Sequence, residues 1–281
     1  MQIVFTICIM CQLLGMNCNT PTDIVFSFTG FATRGGLTDE HKDGWGIAFF
    51  EGSAVRLFVD HQSAVDSPVA ELIKRYPIKS KNVIAHIRKA TQGQVSLENC
   101  HPFVRECWGR YWVFAHNGDL KEFNPVLDGS FQPVGNTDSE RAFCYLLQRM
   151  RRHFGEQLPS VEQLATFMHE ITAEIASFGT FNMMLSNGEA LFTHCSTKLY
   201  YIVRQHPFST AALTDEDVAV DFSQVTTPAD KVAIIVTEPL TTNEQWTQCE
   251  SGQMLVFVDG DVLPLALPAA LSPLPAPQAA A

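Results

Sequence analysis

Two helical patterns stand back to back in the middle of this chain, and on both sides of them the apolar residues fall in runs of strand length. Over residues 138–152, Ala142, Phe143, Leu146, Leu147 and Met150 recur on one helical stripe, with Arg149, Arg151 and Arg152 in the last turn, where the dipole favours cations. Residues 160–177 predict a second helix: Ser160 N-caps it, Gln163 completes a capping box, and Leu164, Phe167, Ile171 and Ile175 line its buried face. β-branched or aromatic runs precede the pair at 45–50, 83–87 and 111–115. Others follow it at 180–185, 190–193, 199–204, 232–237 and 254–258, divided by turn signals such as Ser186-Asn187-Gly188-Glu189 and Asp259-Gly260-Asp261. Runs of strands beside a central helical pair predict an α+β sandwich with helices outside antiparallel sheets.

Composition narrows the partners. With 281 residues, 46% hydrophobic and 17% charged, the chain has ample material for a sizeable core. A net charge of −11 argues against nucleic acid or an anionic membrane as partner. The eight cysteines are irregularly spaced and no export signal precedes them, so a cytoplasmic protein with reduced thiols is expected. Cys18, Cys100, Cys107, Cys144, Cys195 and Cys249 are assigned to packing. Cys8 and Cys11 have C-x-x-C spacing, but no second ligand pair follows, and the spacing is read as chance. No phosphate-binding G-x-x-x-x-G-K-[ST] loop is present, and no metal or organic cofactor is implied. Residues 263–281 form a Pro/Ala-rich tail that is expected to be extended or disordered.

The run Met10-Cys11-Gln12-Leu13-Leu14-Gly15 reads like a second start inside the chain. A cysteine at a free amino terminus carries a thiol of reference pKa about 8.5 and an amine of about 7.7–8.0 on one residue, so it brings its own base. Residues 1–10 then have three readings: a start placed too early, a short propeptide, or an ordinary N-terminal strand. Removal of residues 1–10 is the expectation adopted.

Four further segments place polar residues at strand ends or in turns. His86-Ile87-Arg88-Lys89-Ala90-Thr91 closes a strand, and its arginine suits bidentate capture of a carboxylate. Glu98-Asn99-Cys100-His101-Pro102-Phe103 turns into another strand. Phe114-Ala115-His116-Asn117-Gly118-Asp119 offers a side-chain amide and a bare backbone N–H, the two donors an oxyanion hole needs. Gly135-Asn136-Thr137-Asp138-Ser139-Glu140 enters the first helix, with Asp138 able to accept from an ammonium group. Singly, each has a plainer reading. Asn117-Gly118 makes a good hairpin turn, Asp138 and Thr137 compete as N-cap, Arg88 suits a surface ion pair, and His86 or His101 a hydrogen-bonded core histidine.

Together these segments resemble the class II glutamine amidotransferases, a family of N-terminal-nucleophile hydrolases. Arg34-Gly35-Gly36, Lys42-Asp43-Gly44-Trp45-Gly46, Asn99-Cys100-His101-Pro102-Phe103 and Phe181-Asn182-Met183-Met184-Leu185-Ser186 are similar to the stand-alone YafJ-type subfamily, itself similar to γ-glutamyl hydrolases of thiol metabolism. The resemblance implies a four-layer αββα sandwich over residues 11–262. It implies Cys11 as nucleophile, Asn117 and Gly118 as oxyanion hole, Arg88 for the substrate α-carboxylate and Asp138 for its α-ammonium. Thr91 is expected to support Arg88 or that carboxylate, with His86 and His116 in supporting roles. Gln92-Gly93 stands where many relatives have His-Gly, a departure in the carboxylate clamp. The expected activity is hydrolysis of the γ-amide of glutamine or a γ-glutamyl compound. Alternatives are a glutaminase subunit that feeds ammonia to a synthase partner, and a silent γ-glutamyl-binding module.

Overall fold

A computed structural model of the protein describes residues 11–90 and 94–265. Its strands, in chain order, are β1 (Gln12–Thr22), β2 (Trp45–Glu51), β3 (Ala54–Asp60), β4 (Ser80–Ile87), β5 (Phe103–Cys107), β6 (Arg110–Leu120), β7 (Gly179–Ser186) and β8 (Ala190–Cys195). They continue as β9 (Tyr200–Gln205), β10 (Thr210–Ala212), β11 (Ala219–Asp221), β12 (Lys231–Val236), β13 (Thr247–Gln248), β14 (Gln253–Val258) and β15 (Asp261–Val262). The helices are α1 (Val25–Thr33), α2 (Pro68–Arg75), α3 (Asp138–Phe154) and α4 (Val161–Ala176).

Two large antiparallel sheets result, one in the order β13-β9-β12-β1-β4-β2-β3 and the other β15-β14-β8-β7-β6-β5. Residue alternation along the strands sorts the core into three layers. Leu13, Ile84, Val113, Ala115, Met184 and Ile235 meet between the sheets. Leu14, Met16, Trp45, Ala85 and Ile87 face outward onto Phe28, Phe31, Ala70 and Ile73 of α1 and α2. Phe114, Phe181, Met183 and Phe192 face outward from the other sheet onto α3 and α4. The architecture is the four-layer αββα sandwich expected.

Both expected helices are present. Ser160 accepts from Gln163 N–H and Gln163 returns the bond to the Ser160 N–H, closing the capping box. α3 starts at Asp138 but runs to Phe154, two residues past the expected end, and Gly155 terminates it at φ 70°. The six cysteines assigned to packing are buried and free of disulfides. Among the described residues no helix is long and apolar enough to cross a membrane. Residues 1–10 and most of the Pro/Ala tail lie outside the described residues.

Candidate active site

Cys11 stands at the entry to β1, one step before the register pair Gln12↔Ile87 with β4. β4 therefore delivers its last residues to the thiol. The Lys89 N–H donates to Cys11 Sγ at 3.1 Å, and the thiol lies 3.2 Å from the Lys89 carbonyl, to which it donates. The loop is clasped from behind by Asp43 and Gly44. Arg88 N–H donates to Gly44 O (2.8 Å), Asp43 N–H to Arg88 O (3.2 Å) and Ala90 N–H to Asp43 Oδ2 (2.8 Å). Burial pushes the Cys11 thiol up to about 11, against the lowering effect of the Lys89 hydrogen bond and of the Arg88 cation; Asp43 adds to the rise. At neutral pH the thiol is therefore protonated and needs a base to become a nucleophile.

β6 supplies the opposite wall. Val113 and Ala115 point between the sheets while Phe114 points at α3, so alternation sends Asn117 inward and His116 outward. Asn117 is fully buried; its Nδ2 donates to the Cys11 carbonyl and, at 3.3 Å, to Thr237 Oγ1. Its Oδ1 has no hydrogen-bond partner among the described residues. The Asn-Gly pair is not a hairpin turn, because β6 continues through it to Leu120, paired with β7. Gly118 is required there: a Cβ would stand 1.8 Å from Thr180 O and 2.6 Å from His116 Nε2.

His116 is a structural link. Its Nε2 sits 3.0 Å from Thr180 O, which can only accept, so Nε2 carries the proton and Nδ1 accepts from Ser139 Oγ at 2.8 Å. Burial holds its pKa below the usual histidine value. His86 is buried between the sheets with its ring tilted against that of His101, centroids 4.2 Å apart, and burial holds both well below the ordinary value. Neither ring makes a side-chain hydrogen bond of normal geometry among the described residues. Both histidines lie in the core, but without the hydrogen bonds that the plainer reading expects of them.

Thr137, not Asp138, caps α3, accepting from Glu140 N–H at 3.2 Å. That leaves Asp138 in the first helical turn, where its Oδ2 accepts the Leu120 N–H at 2.8 Å. Asp138 lines a cleft of about 260 Å³ together with Leu120, Phe123, Asn136 and Arg141. Arg88 is buried, with Nη1 donating to Gln94 O at 3.1 Å. Thr91 lies outside the described residues.

Hydrogen bonds thus join the thiol to the Lys89 backbone and to the buried Asn117 amide, while the Arg88 guanidinium is held on Gln94 O and the Asp138 carboxylate on the Leu120 N–H. Comparison with known proteins shows the family of the chain. The model of the class II glutamine amidotransferases matches residues 10–279. The chain belongs to the class II glutamine amidotransferases. It is 55% identical over 257 residues to a Haemophilus influenzae protein provisionally named a glutamine amidotransferase, covering 92% of this chain and 87% of that one. Escherichia coli YafJ, provisionally named likewise, is 48% identical over 252 residues, covering 90% and 99% of the two chains. A crystal structure of a Pseudomonas aeruginosa protein provisionally described as a glutamine amidotransferase superposes with TM-score 0.73 at 49% identity, covering 90% of this chain and all of that one. The glutamine phosphoribosylpyrophosphate amidotransferase of Bacillus subtilis, at 14% identity and TM-score 0.56, shares the fold.

Three residues of this candidate site escape a reading of local sequence. Asp43 sits in the Lys42-Asp43-Gly44-Trp45-Gly46 motif, which carried the resemblance without a role for the carboxylate. Thr237, just past the end of β12 and more than a hundred residues from either partner, accepts from Leu13 N–H at 2.9 Å as well as from Asn117. Asn99 lies in the segment Glu98-Asn99-Cys100-His101-Pro102-Phe103, but its partners are split between two loops. No sequence signal marks Thr237.

Proposed function

We propose that the chain is a cysteine-dependent amidohydrolase that cleaves the γ-amide of glutamine or a γ-glutamyl compound through a thioester on Cys11. The active chain begins at Cys11, and residues 11–262 form the catalytic domain. A neutral α-amine on Cys11 takes the thiol proton, and sulfur attacks the amide carbon. The oxyanion takes hydrogen bonds from Asn117 Nδ2 and the Gly118 N–H. As the C–N bond breaks, the α-ammonium returns its proton to the departing nitrogen, leaving the glutamyl thioester. Water, deprotonated by the same amine, then attacks the thioester; glutamate leaves and the thiol regains a proton.

The observation that carries this reading is the direct bond from Asn117 Nδ2 to the carbonyl of Cys11, which sets an amide donor beside a thiol held on the Lys89 amide. One Nδ2 hydrogen is engaged by Cys11, and the other makes only the longer contact with Thr237, so an arriving oxyanion competes with the weaker of the two. The base argument is equally local. His86 packs its ring against His101 and His116 is held by Ser139 and Thr180, so the thiol is best served by the amine of its own residue.

Arg88, in this scheme, grips the α-carboxylate through a planar fork that a lysine cannot reproduce. Arg88→Lys is expected to raise KM for glutamine about tenfold or more, with kcat changed only a few-fold, because the lost contact is made in ground and transition states alike. Steady-state ammonia release measures both constants, and an unchanged KM would contradict the clamp.

A further inference from the structure

Arg88 and Asp138 stand on different segments, and one buried side chain ties those segments together. Asn99 is 1% exposed, at the end of a short 3-10 turn (Leu97–Asn99). Its Oδ1 accepts the Asn136 N–H at 3.0 Å, and its Nδ2 donates to Asn136 Oδ1 at 2.9 Å, a reciprocal pair with the loop that enters α3. The same Nδ2 reaches Gln94 O at 3.0 Å and Ser96 Oγ at 3.1 Å. Gln94 O is also the acceptor for Arg88 Nη1, at 3.1 Å. A continuous path therefore runs from the Arg88 guanidinium through Gln94 and Asn99 to Asn136, two residues before Asp138. The α3 loop lies flush on this amide: a Cβ on Gly135 would stand 2.2 Å from Asn99 Oδ1. From the other side, buried Glu140 holds that loop by accepting the Gly135 N–H at 2.7 Å while paired with Arg105.

We infer that Asn99 is a positioning residue that fixes Arg88 and Asp138 at one spacing, so that the site selects amides carrying both an α-carboxylate and an α-ammonium. The inference rests on the γ-glutamyl reading proposed above. Two readers on separately mobile loops would each bind its own group whether or not the other was filled. Readers locked to one spacing are pre-organised for the pair, and a substrate that lacks either group forfeits more than one contact.

The test uses the full chain and three amides: glutamine, glutaric acid monoamide (no α-ammonium) and 4-aminobutanamide (no α-carboxylate). Ammonia release is followed for wild type, Asn99→Ala and Asn136→Ala, the last on an exposed residue and so a safe second variant if the first fails to fold. Asn99→Ala is expected to raise KM for glutamine about tenfold with kcat within about threefold, the scale of one or two lost hydrogen bonds. It is also expected to compress the preference for glutamine over both truncated amides, and Asn136→Ala to do so less strongly. Discrimination that is intact in wild type and survives in both variants, whatever their melting temperatures, would overturn the inference alone. Compression toward only one of the truncated amides would overturn the coupling it asserts. A wild-type chain that releases ammonia equally from all three amides, or that cleaves neither them nor γ-glutamyl-p-nitroanilide, would overturn the γ-glutamyl reading and the inference with it.

Discussion

Cys11→Ala is expected to reduce ammonia release from glutamine by at least about four orders of magnitude, to the level of the buffer, because no other group can form the thioester. The fold should tolerate the change. The side chain sits at the entry to β1, not in a hydrophobic layer, and its thiol contacts are two weak hydrogen bonds with the Lys89 amide. Melting temperature is therefore expected to move by no more than a few degrees. Cys11→Ser sharpens the test: a hydroxyl can keep the Lys89 contacts but is a far weaker nucleophile, so it should be folded and nearly inactive. Alanine protein that still turns over glutamine, with fresh enzyme and no contaminating amidase, would remove Cys11 from the chemistry.

Asn117→Ala is the second large effect. The side chain is fully buried, so the change deletes a donor in a site of low dielectric, where an oxyanion contact is worth most. A fall in kcat of about two to three orders of magnitude is expected, with KM much less affected, since the charge it meets develops only in the transition state. A stability cost of about 1 kcal/mol accompanies it, because the Cys11 carbonyl loses its amide partner. Asn117→Asp is expected to be worse still: the shape is kept, but an anion faces the developing oxyanion. A kcat within tenfold of wild type in the alanine variant would show that Asn117 only holds the Cys11 backbone in place.

What the sequence made legible follows from locality. α4 was readable because its capping box and apolar stripe lie within one run of residues, and the structure reproduces both the Ser160 cap and the Gln163 return bond. The strands flanking the helical pair were readable as β-branched and aromatic runs. α1 was not: Val25–Thr33 is apolar nearly all round, holds Gly30 and has no side-chain cap, so nothing in its pattern separates it from a buried strand. The pattern of β1 does not mark a strand either, since its eleven residues include Gly15, Asn17, Asn19 and Pro21, and only the resemblance implies one after Cys11. The competition between Thr137 and Asp138 at the start of α3 could be posed from sequence but was decided by the Leu120 N–H, which occupies the aspartate from a distant strand.

The site divides along the same line. Cys11, Arg88, Asn117, Gly118 and Asp138 each belong to a short motif, and each motif named its own candidate. The residues that hold those candidates in place, Asp43 behind the Lys89 loop, Thr237 beneath Asn117 and Asn99 between the Gln94 and Asn136 loops, each have a partner 37 to more than 100 positions away. Such contacts leave no periodicity and no spacing to read. They arise only when β1, β4, β6 and β12 converge at one end of the sandwich.

The central claim is that Cys11 works as an amino-terminal residue, and the mass of the N-terminal peptide of protein isolated from its native host tests it most directly. The account predicts a chain that begins at Cys11, its α-amine free beside the thiol. An active chain that still begins at Met1 would contradict it, because the amine assigned as base would then be an amide.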